Sequence, residues 1–379
     1  MNCFAKTLHA AVLELGEVHN SRENIKTPAL ADTFNHFWPE SHANARVFEI
    51  PLIPRIIMSR LFFRFAGLIV AAVVGAAPSV ASAHDIPGAT SETANQFVDL
   101  IGDQYGIRPN MTYTIANNVE LKLDLYLPRD VKEPVPLVIN FHGGGWVEGG
   151  KDGSMLGLLR YMQMGFAVAN VGYRLGRVSP APAAVEDTRC ALRWLTRRAT
   201  QYKIDTRKIV LTGGSAGGHL ALITGMLPAG NPFDRACATD DNTRWVSGTE
   251  TPLTVAAIIN YFGIADVEDL LGGPNAKHYA IEWLGAATNR EALARSVSPI
   301  QYVRAGLPAI FTVHGDADLL VPHAHSTRLH EALNKAGVAN EFMTIPGGGH
   351  GGFSPTESQR ISAAIRGFLA RLGIAAIAR

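Results

Sequence analysis

Four glycine-bearing segments carry the residue types of nucleophilic acyl chemistry. Gly213-Gly214-Ser215-Ala216-Gly217 fits the pattern G-x-S-x-G between a predicted strand and a predicted helix. A serine hydroxyl held there stands above the sheet end, because the flanking glycines lack the Cβ atoms that would clash in so sharp a turn. The amide of Ala216, at the helix N-terminus, then points toward a developing oxyanion. By itself the pentapeptide also fits a glycine-rich turn capped by serine.

His142-Gly143-Gly144-Gly145-Trp146 follows a short apolar strand. A bare-backbone loop at that place can supply further amide donors, so Gly144 and Gly145 join Ala216 as candidate oxyanion groups. A nucleotide-phosphate loop is excluded by the lack of a Lys-Ser/Thr in P-loop spacing and of G-x-G-x-x-G. His142 is expected to brace the loop by hydrogen bonds rather than act as a base.

A neutral hydroxyl is a poor nucleophile, so a histidine must take its proton and a carboxylate must orient that histidine. His314-Gly315-Asp316-Ala317-Asp318 and Gly347-Gly348-Gly349-His350 each follow a predicted strand, in the chain order Ser, acid, His. The acid is Asp316 or Asp318. Asp318 is favoured because it sits further out on its loop, before an apolar anchor and Pro322; Asp316 is then a turn residue. His350, among glycines, is the candidate base. His314, His323, His325 and His330 are expected at turns or on a helix surface.

These loops need a scaffold. Residues 111–115 and 119–127 alternate apolar and polar around Asn117-Asn118, which predicts an antiparallel hairpin. Short apolar runs at 137–141, 166–171, 208–212, 255–262, 308–313 and 341–345 predict buried strands. Helical spacing predicts helices over 182–202, 215–226, 324–336 and 355–372, with short helices within 267–296. Residues 228–252, rich in Pro, Asp, Asn, Thr and Gly, should leave the sheet. The alternation implies a mainly parallel twisted sheet covered by helices on both faces, with ligands beyond the carboxyl ends of its strands.

The segments HGGGW, YRL, GGSAGGHLA, SPIQYV, HGDADLLVP and GGGHGGF together resemble the bacterial esterase-type α/β-hydrolases related to the hormone-sensitive lipase family. They are most similar to the branch with feruloyl-esterase-like and other exported carboxylesterases. The resemblance spans about residues 111–370. It implies the α/β-hydrolase fold, a triad of Ser215, Asp318 and His350, and no metal or organic cofactor. The implied substrate is a small-molecule or polysaccharide-linked ester. Only a short stretch precedes the first strand, so an N-terminal helical cap should be small or absent. A prolyl-oligopeptidase-type peptidase shares the triad but needs room for a propeller domain. A non-catalytic binding relative would be expected to lack a triad member.

The chain has 379 residues, 47% of them hydrophobic, with 34 basic and 33 acidic side chains. That balance gives no global field for nucleic acid or an anionic membrane. After Met58 and two arginines, residues 65–77 are all apolar or glycine, and a small-residue A-x-A site ends at Ala83. This is the pattern of a secretory signal peptide, too short for the roughly 20 residues that span a bilayer. The sequence therefore predicts an upstream mis-start or disordered extension over 1–57, a signal peptide over 58–83 and a catalytic domain over 84–379. The protein should be exported, periplasmic or secreted, without a stable membrane anchor after cleavage. In that setting Cys190 and Cys237 can pair or remain free thiols; spacing does not decide it.

Overall fold

The computed structural model describes residues 91–237 and 253–374, which belong to one compact unit. The expected extension and signal peptide lie outside the described residues, as do residues 238–252 of the polar excursion.

Eight strands form one sheet: β1 (Tyr105–Ala116), β2 (Val119–Pro128), β3 (Val135–Phe141), β4 (Ala167–Val171), β5 (Ile204–Gly214), β6 (Ala257–Tyr261), β7 (Ala309–Gly315) and β8 (Asn340–Ile345). Their order is β1-β2-β4-β3-β5-β6-β7-β8. β2 pairs antiparallel with both β1 and β4, and every later pair is parallel. The β1–β2 turn is Asn117-Asn118, both at positive φ, as a two-residue hairpin turn requires.

The central strands read as unbroken apolar runs because both faces are covered. Side chains alternate between two cores, as a strand's two-residue period dictates. Leu137, Ile139 and Phe141 pack on one face with residues of α3 (Ala183–Arg197), α4 (Ala216–Met226) and α7 (Ala324–Lys335). Val138, Val210, Ile259 and Phe311 pack on the other with α8 (Pro355–Arg371) and α2 (Leu159–Met162). α8 begins with a capping box between Ser354 and Glu357 and has Pro355 in its first turn, the start signals its sequence carries. Two short helices, α5 (His278–Leu284) and α6 (Arg290–Ser296), occupy the stretch between β6 and β7.

Two features go beyond the sequence-based expectation, and a third settles a point it left open. α1 (Ser91–Asp103) precedes β1 and lays Phe97, Leu100 and Ile101 on the second core. A 3-10 turn, Lys151–Leu158, leads into α2 where no element was predicted; its glycines hid any helical period. Cys190 and Cys237, left open by the sequence, are joined by a disulfide with Cα atoms 5.1 Å apart. Beside it Arg189 holds Asp234 bidentately at 2.6 and 2.7 Å. Together they fasten the start of the polar excursion to α3.

Candidate active site

Ser215 lies between β5 and α4 at φ +56° and ψ −123°, a strained backbone for a residue with a Cβ. Its amide donates to the Tyr261 carbonyl at 3.0 Å, and its carbonyl accepts from His219 at 2.9 Å. The turn closes only because backbone meets backbone. A Cβ on Gly217 would lie 2.0 Å from the Phe141 carbonyl oxygen, and one on Gly213 would lie 2.4 Å from Gly217. The glycines around Ser215 are thus demanded by the approach of α4 to the ends of β3 and β5.

The loop after β3 comes against this turn. A Cβ on Gly143 would be 3.7 Å from the Ser215 Cβ. Gly144, Gly145 and Trp146 all have positive φ. Among the described residues, no carbonyl accepts from the amides of Gly144, Gly145 or Ala216. Trp146 is buried and stacked on Trp283, centroids 4.1 Å apart, and its Nε1 donates to His219 Nδ1 at 3.1 Å. His219 therefore carries its proton on Nε2, which donates to the Val297 carbonyl at 2.7 Å. Burial lowers the His219 pKa to about 4, against a weaker raising effect from that carbonyl, so the ring stays neutral. His142 stacks on Tyr173 at 4.1 Å, and its carbonyl accepts from the Tyr173 hydroxyl at 2.8 Å.

On the far side, β7 delivers Asp318 and β8 delivers His350. His350 Nδ1 lies 2.7 Å from Asp318 Oδ2. The other carboxylate oxygen accepts from the amides of Leu320 and Val321 at 2.8 and 2.9 Å. Burial by itself would raise the Asp318 pKa. Hydrogen bonds from His314 and His350, the charge of His350 and the Val321 amide outweigh it and hold the carboxyl well below the usual carboxylate range. Asp316 instead accepts from the Gly347 amide at 2.6 Å, tying the acid loop to the histidine loop.

His314 corrects the sequence-based expectation of a turn or surface residue. It is fully buried at the end of β7, with Nε2 3.1 Å from both Asp318 Oδ2 and the Val321 carbonyl. Two acceptors at Nε2 place the proton there, and Nδ1 accepts from the Ser326 hydroxyl at 2.7 Å. His325 and His330 are likewise buried rather than on a helix surface: His325 Nε2 lies 3.0 Å from Asp269 Oδ2, and His330 stacks on Phe342 of β8 with its Nδ1 2.6 Å from Asn340 Oδ1. His323 is half-buried, with Nε2 3.1 Å from the Thr344 hydroxyl.

Ser215 and His350 line one cavity of about 140 Å³. Of the three loop glycines, Gly143 borders it. Phe141, Phe262, Phe353 and Ile361 supply apolar wall; Arg160, Tyr161, Thr212 and Tyr261 supply polar groups. The Phe262 ring packs on His350 with centroids 4.5 Å apart. Sequence reasoning missed Arg160, Tyr161, Tyr261 and Phe262. They lie in no glycine-marked motif, and only the path of the 3-10 turn and β6 brings them here. Among the described residues, no group of three or more His, Cys, Asp or Glu is arranged to hold a metal ion.

This strand order, with the turn at Ser215 and the Asp318–His350 pair at the same sheet end, defines the α/β-hydrolase fold. Residues 123–333, more than half the chain, match the BD-FAE family, and the chain belongs to that family. It is 27% identical to Esterase LipQ of Mycobacterium tuberculosis over 222 residues, which covers 57% of this chain and 50% of LipQ. Carboxylesterase NlhH of the same species is 34% identical over 110 residues, 28% of this chain and 34% of NlhH. The chain thus spans about half the length of curated relatives such as LipQ. A solved esterase of Thermogutta terrifontis, Est2 with propionate bound, superposes with a TM-score of 0.58 at 29% identity, covering 73% of this chain and 97% of that one. A truncated carbohydrate esterase from gut microbiota gives 0.56 at 27% identity, covering 71% and 97%.

Proposed function

We propose that the chain hydrolyses carboxylic esters by acyl transfer through Ser215, His350 and Asp318. The observation that carries this reading is the 2.7 Å contact between His350 Nδ1 and Asp318 Oδ2, on the cavity that Ser215 also lines. With Nδ1–H held by the carboxylate, Nε2 is the nitrogen left to take a proton. Ser215 Oγ attacks the ester carbonyl and gives its proton to His350. The amides of Gly144, Gly145 and Ala216 receive the negative oxygen, consistent with their lack of acceptors among the described residues. Alcohol departs with the proton from His350. Water then attacks the acyl-enzyme, His350 takes a proton from it, and Ser215 is regenerated.

The names of the relatives support ester substrates, and the carbohydrate esterase among the solved structures supports a polysaccharide-linked ester as one candidate. Ser215→Ala should lower hydrolysis of p-nitrophenyl acetate or butyrate by roughly 10⁴-fold or more while the thermal transition survives. Unchanged turnover in that variant would refute the assignment.

The same reading has the enzyme exported after cleavage near His84. The Cys190–Cys237 disulfide supports it, since such bridges form and persist in oxidising compartments. Sequencing the N-terminus of the exported protein should find His84 or a near neighbour; an intact Met1 or Met58 sinks it.

A further inference from the structure

Arg160 lies in α2, on the wall of the cavity that holds Ser215 and His350. It is the only Asp, Glu, Lys or Arg among the lining residues. Its Nη1 donates to the Tyr261 hydroxyl at 2.8 Å, and its guanidinium lies 5.6 Å from the Tyr261 ring centroid. Among the described residues no carboxylate pairs with it. A guanidinium has five N–H donors in a planar fork, and this one spends a single donor on Tyr261.

The link to the reacting centre is short. The Tyr261 carbonyl accepts from the Ser215 amide, and the Tyr261 Cβ lies 3.8 Å from where a Cβ on Gly214 would be. One tyrosine side chain therefore separates the nucleophile turn from the guanidinium. Gly149, Gly150, Gly153 and Gly157 contribute wall without side chains, beside Ser154 and Leu158 of the 3-10 turn. Phe141, Leu158 and Ile361 are buried around it, which strengthens any charge pairing made inside. In the acyl-enzyme the acyl group stays on Ser215 while the alcohol leaves toward water, so this walled space suits the acyl part.

We propose that Arg160, held by Tyr261, selects esters whose short acyl chain ends in a carboxylate, that is, half-esters of small dicarboxylic acids. The proposal rests on the ester-hydrolase reading. The carboxylate would receive charge-assisted, bidentate hydrogen bonds from the guanidinium while its ester carbonyl sits at Ser215.

The test compares kcat/KM for monomethyl succinate and methyl butyrate, at pH 7.5 and fixed salt. The wild type should prefer the succinate half-ester. Arg160→Gln should lower the succinate-to-butyrate ratio by roughly tenfold or more, the effect of losing a hydrogen bond to a charged group. Arg160→Lys should restore part of the ratio, and Tyr261→Phe should lower it less. Glutarate should inhibit methyl butyrate hydrolysis competitively, with Ki raised roughly tenfold in Arg160→Gln, and near-ultraviolet circular dichroism checks that each variant is folded. A ratio unmoved by Arg160→Gln, or a wild type slower on the succinate half-ester, overturns the proposal. A wild type that hydrolyses p-nitrophenyl butyrate but neither methyl ester overturns the proposal alone; one that hydrolyses none of the three overturns the ester-hydrolase reading, and the proposal with it.

Discussion

On the nucleophile side of the site, a Cβ on Gly217 would lie 2.0 Å from a carbonyl oxygen; on the opposite side, a Cβ on Gly349 would meet nothing within 4 Å. Ser215 and the loop after β3 are positioned by backbone pressed on backbone, with Trp146, Trp283 and His219 locking the loop from beneath. Asp318 and His350 are positioned by side-chain hydrogen bonds, to one another, to His314 and to two loop amides. The first arrangement tolerates no added atom. The second has room at Gly349 but none at Gly315, where a Cβ would lie 2.1 Å from the Gly348 carbonyl oxygen, and it tolerates no lost partner.

The sharpest way to break this comparison is a pair of glycine substitutions. Gly217→Ala should cost more than about 4 kcal/mol, because neither carbonyl nor helix can yield. Gly349→Ala should move the thermal midpoint by only a few degrees. Equal losses in the two variants would show that shape does not separate these two positions.

A lost partner is the complementary probe. Asp318→Asn should keep the nucleophile turn but lower kcat by roughly 10⁴-fold, by misorienting the His350 tautomer. Steady-state kinetics on p-nitrophenyl butyrate reads this, and a loss under tenfold would remove Asp318 from its role.

The smallest effect lies in acid. Each side holds a buried neutral histidine, His219 beneath the loop after β3 and His325 on α7, with pKa values lowered to about 4, foremost by burial. In the unfolded chain both titrate near 6.5. Between pH 6.5 and 4 the unfolded state therefore binds more protons, and stability falls as pH falls through that window. Each should contribute roughly 1 kcal/mol per pH unit there. Urea melts across the range should show the decline, and His219→Gln should flatten it. A flat profile in the wild type would mean that the rings are protonated in the folded protein.

Much of the site was legible because backbone constraints leave marks in sequence. Gly213 and Gly217 have no alternative at their positions, and Asn117-Asn118 suits two successive residues at positive φ. The strand positions followed from apolar runs that two covered faces require. The histidines were harder. His314, His325 and His330 look like surface residues in a one-dimensional pattern, because nothing in sequence reveals that Asp318, Ser326, Asp269 or Asn340 will stand within hydrogen-bond reach. Arg160 and Tyr261 were invisible for the same reason, being 101 positions apart along the chain.

By itself, then, the sequence determined the fold class, the order of the strand-end loops and the candidate residues on them. Local sterics and hydrophobic period act over a few residues and are written there. Only the tertiary structure decided which cysteine state holds, which aspartate meets His350, that His314 shares the same carboxylate oxygen, and that a lone arginine enters the cavity. Those are pairings across long stretches of chain, and they exist only once the sheet has brought distant strand ends together.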